Sequence, residues 1–160
     1  MPDSQAAHEK TLNSILPALA GANTIYGSGM LELGQTFSLE QLVIDNDIAS
    51  MDFHVMRGIP VSDETLAVKE CKEVGVGNDF LGHQTTMDNF EMVSNPRLFD
   101  RTMLGEWRAN GYKDTVTRAH ELVEDVMANH VVTPIPEDRL AAMEAVVKQA
   151  DEAFLKRMQE

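Results

Sequence analysis

The chain has 160 residues, enough for one domain with a hydrophobic core. Its 26 acidic side chains against 13 Lys plus Arg give a net charge of −13, which argues against nucleic acid and anionic membrane surfaces as partners. The same charge suits a cationic ligand or a basic protein, or simply a solvated acidic surface. The single cysteine, Cys71, rules out an internal disulfide and a cysteine metal cage. With no signal peptide and no long apolar run, the expectation is a cytoplasmic protein.

Taken in order, the chain opens on a helix predicted over Asp3–Ala20, with an apolar stripe at Ala7, Leu12, Ile15, Leu16 and Leu19. Asp3 or Ser4 can cap it, and Pro17 marks its last turn or a bend. Asn23–Tyr26 is short, partly β-branched and aromatic, and predicts a buried strand. A glycine-rich loop follows, carrying Gly27, Gly29 and Gly34. Ser38 then predicts an N-cap, with Gln41 completing a capping box and Phe37 and Leu42 placed as a hydrophobic staple. The helix behind it, from Leu39 to about Met56, is expected to use Leu39, Leu42, Val43, Ala49, Phe53 and Met56 as its apolar face, with Asp45 and Asp47 interrupting it.

Ser62 predicts the start of a second helix that closes at Gly75. Val76–His83 reads as a loop or a short strand at Phe80-Leu81. Thr85 or Thr86 starts a short helix through Met92, and Ser94-Asn-Pro-Arg is a turn. Met103, Leu104 and Trp107 form a helical segment stopped by Asn110-Gly111. Asp114 caps the next helix, whose face carries Val116, Ala119, Leu122, Val123, Val126 and Met127. Thr133-Pro-Ile-Pro breaks the chain. Leu140, Met143, Val147, Ala150 and Phe154 then make a final stripe, which suits packing outside a barrel or against a partner subunit. The expected division is residues 1–132 and 133–160.

Three side chains stand out for chemistry. Tyr26, at the end of the predicted strand, offers an aromatic face to a quaternary or protonated amine; the alternative is a core tyrosine with its hydroxyl bonded. Glu32 in the loop either attracts a cation or sits solvated. His83 either contacts substrate or is structural. His8, His54, His120 and His130 are scattered without metal-site spacing, so no metal is expected. The glycine cluster lacks the Gly-Lys-Ser/Thr ending of a phosphate loop and is not a dinucleotide fingerprint. Trp107 and Tyr112 read as packing anchors.

Ala18-Leu-Ala-Gly-Ala-Asn-Thr-Ile-Tyr-Gly-Ser-Gly-Met-Leu-Glu-Leu-Gly34, Gln41-Leu-Val-Ile-Asp-Asn-Asp47 and Phe80-Leu-Gly-His83 resemble the C-terminal part of the trimethylamine methyltransferase family. So do Asn95-Pro-Arg-Leu-Phe-Asp-Arg101, Trp107 and Gly111-Tyr-Lys-Asp114, so that the resemblance runs from about Asp3 to His130. It implies an α/β fold, the C-terminal part of a (β/α)8 TIM barrel. The expectation is a mostly helical chain with about two short parallel strands, at Asn23–Tyr26 and within Val76–His83, and extra C-terminal helices. A whole barrel needs about 250 residues, so the N-terminal part of the barrel is an implied partner.

The resemblance further implies transfer of a methyl group from a methylated amine, trimethylamine or a quaternary amine, to the cobalt of a corrinoid carried by a separate, cognate corrinoid protein. Tyr26, Glu32 and His83 become the expected substrate-binding residues, and Gly27, Gly29 and Gly34 the backbone that approaches the corrinoid. No catalytic residue is assigned. Trimethylamine-specific members carry pyrrolysine, encoded by an in-frame amber codon, and a chain beginning downstream of such a codon would open near the first helix. Uncovered barrel edges point to a homo-oligomer. The competing class is a non-catalytic module for helical self-association or quaternary-amine binding.

Overall fold

The computed structural model describes residues 1–159. The chain is mostly helical: α1 (Ser4–Leu19), α2 (Leu39–Met56), α3 (Asp63–Leu66), α4 (Val68–Val74), α5 (Gln84–Asp88), α6 (Leu104–Ala109), α7 (Thr115–Asn129) and α8 (Glu137–Gln159). It forms two compact units, Met1–Met127 and the segment from Ala128 onward. No helix among the described residues is long and apolar enough to cross a membrane.

The strands differ from the two parallel ones expected. Asn23–Tyr26 is irregular and exposed, and Val76–His83 contains turns but no strand. The strands present are β1 (Met30–Leu31) and β2 (Thr36–Phe37), paired antiparallel inside the glycine loop with Met30 opposite Phe37 and Leu31 opposite Thr36. The reason is one of partners. A parallel strand needs a neighbour brought alongside by a long crossover, whereas a hairpin closes on itself through a tight turn. That turn is Glu32–Gly34, where Glu32, Leu33 and Gly34 take φ of +50°, +54° and +85°.

Side-chain caps set most helix starts. Asp3 accepts the Ala6 amide at 2.9 Å, Ser38 accepts the Gln41 amide at 3.1 Å, and Asp114 accepts the Thr117 amide at 2.8 Å. The reciprocal half of the Ser38–Gln41 box is absent. The Ser38 amide donates instead to the Gly29 carbonyl at 2.9 Å, and the Gln41 side chain turns to Asp45. The complete capping box belongs to Ser62 and Thr65 at α3. The helix expected from Ser62 to Gly75 is broken into α3 and α4 at Ala67, which takes a left-handed φ of +49°.

The core of the first unit is small: Ile44, Ile48, Leu98 and Ala119, backed by half-buried Ala7, Val43, Met51, Phe99, Val116 and Leu122. Helix α2 is its axis, packed against α1 on one side. The apolar face expected for α2 is therefore corrected. Leu39, Phe53 and Met56 are exposed, and the buried positions are Gln41, Ile44, Asp45, Asp47, Ile48 and Asp52. The carboxylates that interrupt the apolar pattern lie on the inner face, and they displace the stripe.

Each buried carboxylate has a partner, as burial of a charge requires. Asp47 accepts the amides of Arg97 (3.0 Å) and Leu98 (2.9 Å), tying the Asn95-Pro-Arg-Leu turn to α2. Asp52 is bonded to the Ser14 hydroxyl, tying α1 to α2. At the start of α2, Glu40 contacts the His120 ring of α7 at 3.1 Å. Trp107 donates its indole N–H to the Lys113 carbonyl at 2.8 Å and meets Tyr112 edge-on at 5.2 Å, and Tyr112 is exposed. In the second unit, α8 has no buried position from Glu137 to Met158, and its apolar residues Leu140, Met143, Val147 and Phe154 are exposed.

Candidate functional site

The glycine loop is held from below by Asp45. Its Oδ2 accepts the Gly29 amide at 2.8 Å and pairs with Lys10 Nζ at 3.1 Å, while Oδ1 accepts from Gln41 Nε2 at 2.6 Å. Lys10 also donates to the Gly27 carbonyl at 2.5 Å. One buried carboxylate thus fixes both ends of the Gly27-Ser-Gly29 turn and joins it to α1 and α2. Gly29 is buried, with φ of +78°, and a Cβ there would stand 2.6 Å from the Phe37 ring and 3.1 Å from Leu42 Cβ. The staple residues Phe37 and Leu42 therefore close over Gly29, and only glycine fits.

Above this anchor lies a cavity of about 400 Å3. It brings together Tyr26, Gly27, Glu32 and Gly34, four of the six residues singled out in the sequence, with Glu9, Lys10 and Asn13 of α1 on the opposite wall. Tyr26 is 86 % exposed, so its ring is open to a ligand rather than packed in the core. Glu32 accepts from the Thr36 hydroxyl at 2.8 Å, which fixes its carboxylate across the hairpin. Glu9 is oriented by Gln5, whose amide donates to it at 2.9 Å. The one lysine on the wall is already engaged by Asp45 and the Gly27 carbonyl. Two carboxylates and an open aromatic face make a wall suited to a cation.

Two of the expected residues stand apart. Gly29 lies behind the loop, under Phe37, and is not on the cavity wall. His83 is in a different place, an open depression of about 410 Å3 shared with Val74, Asn78, Asp79 and Gly82. There its Nδ1 accepts the Thr85 amide at 3.2 Å as the N-cap of α5, its Nε2 faces Glu73 at 3.6 Å, and Phe80 packs edge-on against the ring at 6.0 Å. The helix thus starts at Gln84, one residue before the expected threonines. Among the described residues no group of three or more His, Cys, Asp or Glu is arranged to hold a metal.

Sequence reasoning missed Glu9, Lys10 and Asp45. Asp45 had a legible signal. Charged residues inside the apolar run Val43–Ile48 must be either solvated or buried with a partner, and the backbone amides of a glycine loop just upstream are natural donors. Glu9 and Lys10 carried none, because only the packing of α1 on α2 brings them to the loop.

The sequence model for trimethylamine methyltransferase (MTTB) matches residues 1–154. The trimethylamine methyltransferase MttB of Methanosarcina barkeri is 60 % identical over 154 residues, 96 % of this chain and 31 % of the relative. That of Desulfitobacterium hafniense is 42 % identical over the same shares. A glycine betaine methyltransferase of Desulfitobacterium hafniense is 28 % identical over 149 residues, 92 % of this chain and 31 % of the relative. The chain spans about a third of the length of the curated relatives it matches.

Proposed function

Because this chain belongs to the trimethylamine methyltransferase family, we propose that it is the C-terminal part of a corrinoid-dependent amine methyltransferase built on a (β/α)8 barrel. Its share is to hold the amine through the cavity on the glycine loop. The observation that carries this reading is the convergence of Tyr26, Glu32 and Glu9 around one cavity in a segment matched by the family. Higher identity to trimethylamine methyltransferases than to the glycine betaine enzyme favours a tertiary amine as substrate.

A corrinoid carried by its own protein would supply the cobalt(I) nucleophile for the methyl group, and the C–N bonding pair would stay on the amine. The residues of this chain bind and orient. Glu32 and Glu9 attract the positive amine, and Tyr26 presents its ring face to the N-methyl groups. Gly27 and Gly34 leave the rim of the cavity free of Cβ atoms, so the backbone can approach a large planar group. Gly29 serves the same surface from behind, by letting Phe37 and Leu42 brace the loop. His83 acts as a helix cap outside this cavity. Residues 133–160 pack on the barrel or on a partner subunit of a homo-oligomer.

The test is complementation. The chain is combined with the N-terminal segment of a trimethylamine methyltransferase and the cognate corrinoid protein in its cobalt(I) state, and methylation is followed by the change in corrinoid absorbance. Transfer from trimethylamine is expected, with Tyr26→Ala and Glu32→Gln each lowering kcat/KM by about tenfold, as loss of one cation contact implies. A reconstituted enzyme whose kcat/KM is unchanged in the double variant would remove this cavity from the substrate path.

A further inference from the structure

At the far end of α2 lies a second and larger cavity, of about 640 Å3. The glycine loop is tied to α2 at Asp45, whereas the α2 residues lining this cavity run from Ser50 to Arg57, about 8–18 Å further along at the ordinary helical rise. The cavity therefore does not belong to the site just described. Its lining has the opposite electrostatic character. Arg57, Arg101 and His54 converge there with a single carboxylate, Glu91. This happens in a chain with net charge −13, where cations are outnumbered two to one.

The cations are differently engaged. Arg101 donates to the Ser94 carbonyl, to the Ser94 hydroxyl at 3.0 Å and to the Met51 sulfur at 3.9 Å. These contacts fix its guanidinium and leave part of its five-donor fork open. The Arg57 and His54 side chains have no hydrogen-bond or ion-pair partner among the described residues. The position of His54 in the last turn of α2 and of Arg57 at its C-cap suits the helix dipole. It does not account for Arg57 lining the same cavity as Arg101, since unpaired like charges repel. The remaining wall is apolar, with Phe90, Val93 and Pro96, and Phe90 is 74 % exposed.

We infer that this cavity is an anion site for a small molecule with an oxyanion, phosphate or carboxylate, joined to an apolar body. Arg101 supplies a pre-oriented fork, Arg57 closes on the oxyanion as a free second cation, and His54 adds a donor. Phe90 and its apolar neighbours cover the rest of the ligand. Two guanidinium groups on one oxyanion is the arrangement that favours bidentate recognition. The inference is independent of the amine reading, because the two cavities share no residue.

The experiment is calorimetric titration of the full 160-residue chain with phenyl phosphate, benzoate and inorganic phosphate at low ionic strength. Saturable binding of phenyl phosphate or benzoate is expected, with inorganic phosphate at least several-fold weaker because it leaves the apolar wall uncovered. Arg57→Gln is expected to weaken binding about tenfold, which is the loss of one charge-assisted contact. Glu91→Gln is expected to strengthen it about twofold to threefold by removing the opposing charge. Arg57 is an exposed residue at the helix end, so circular dichroism should show the variant folded. Benzoate and phenyl phosphate binding in ratio then separates a carboxylate ligand from a phosphate one. Absence of binding by all three, affinity unchanged in Arg57→Gln, or equal affinity for inorganic and phenyl phosphate would each overturn the assignment.

Discussion

Two regions of the first unit are built from similar local signals and end in different states. In the stretch from Gly27 to Asp52, side chains reach across the sequence. Asp45 bonds an amide 16 residues away, Asp52 a hydroxyl 38 residues away, and Asp47 amides 50 and 51 residues away. In the stretch from Ile59 to Val93 no residue is buried. Its side-chain hydrogen bonds stay within six residues, as in Thr86 to the Phe80 carbonyl or Thr65 to the Pro60 carbonyl. Both regions have well-formed caps. The difference teaches that capping starts a helix but does not place it. Placement comes from buried groups that have one satisfying partner elsewhere in the chain.

The largest way to break this contrast is Asp45→Ala. It leaves the Gly29 amide and the Gln41 side-chain Nε2 without their acceptor and leaves Lys10 with only the Gly27 carbonyl. Removing one partner of a buried, hydrogen-bonded pair costs about 3 kcal/mol, less where one partner is partly solvated as Lys10 is. Urea unfolding followed by circular dichroism should show a loss of about 2–3 kcal/mol. A loss under about 0.5 kcal/mol, the level of an ordinary surface change, would mean the loop is held by something else.

A matched pair of glycine substitutions sharpens the comparison. Gly29 and Gly77 both have left-handed φ, +78° and +84°, but a Cβ at Gly29 meets the Phe37 ring at 2.6 Å and one at Gly77 meets nothing within 4 Å. Gly77→Ala should cost only the backbone term, about 1 kcal/mol. Gly29→Ala adds overpacking and should cost about 3 kcal/mol in all. Equal costs would show that the loop yields to the added methyl and that its bracing is weak.

The smallest effect concerns pH. His120 is held above its ordinary range, first by the hydrogen bond to Glu40 and then by the nearby Glu124 charge. Glu40 is held below its own range by its backbone amide, by His120 and by the Ser38 hydroxyl. The His120 contribution is thus complete below about pH 6.5 and is lost as pH rises through the raised folded value. The Glu40 contribution is present above about pH 4.5 and is lost as pH falls through its lowered value. An NMR titration of the His120 ring should give a midpoint above 6.5 that falls in Glu40→Gln. A midpoint unmoved by that substitution would place the cause elsewhere.

How much of this was legible can be judged residue by residue. The caps at Asp3, Ser38, Ser62 and Asp114 and the closing Gly75 were readable, because each acts within four residues of its own position. So was the family, which rests on ordered motifs rather than on geometry. At Gly29 the expected neighbour was a cofactor, and the group that approaches its backbone is the Phe37 ring. The strand at Asn23–Tyr26 was misread, since β propensity says only that a segment would suit a sheet and not that a neighbour is at hand.

What the sequence determined by itself is therefore local and compositional: where most helices are capped, that no disulfide can form within these 160 residues, and which family the motifs resemble. The tertiary structure alone decided that Asp45, Asp47 and Asp52 face inward, that Tyr26 and Glu32 share a cavity with Glu9 while His83 does not, and that Arg57 and Arg101 line a cavity together. The physical reason is range. Backbone torsions and caps are settled by a few neighbouring residues, but a buried charge is tolerated only where a partner from a distant part of the chain arrives to meet it.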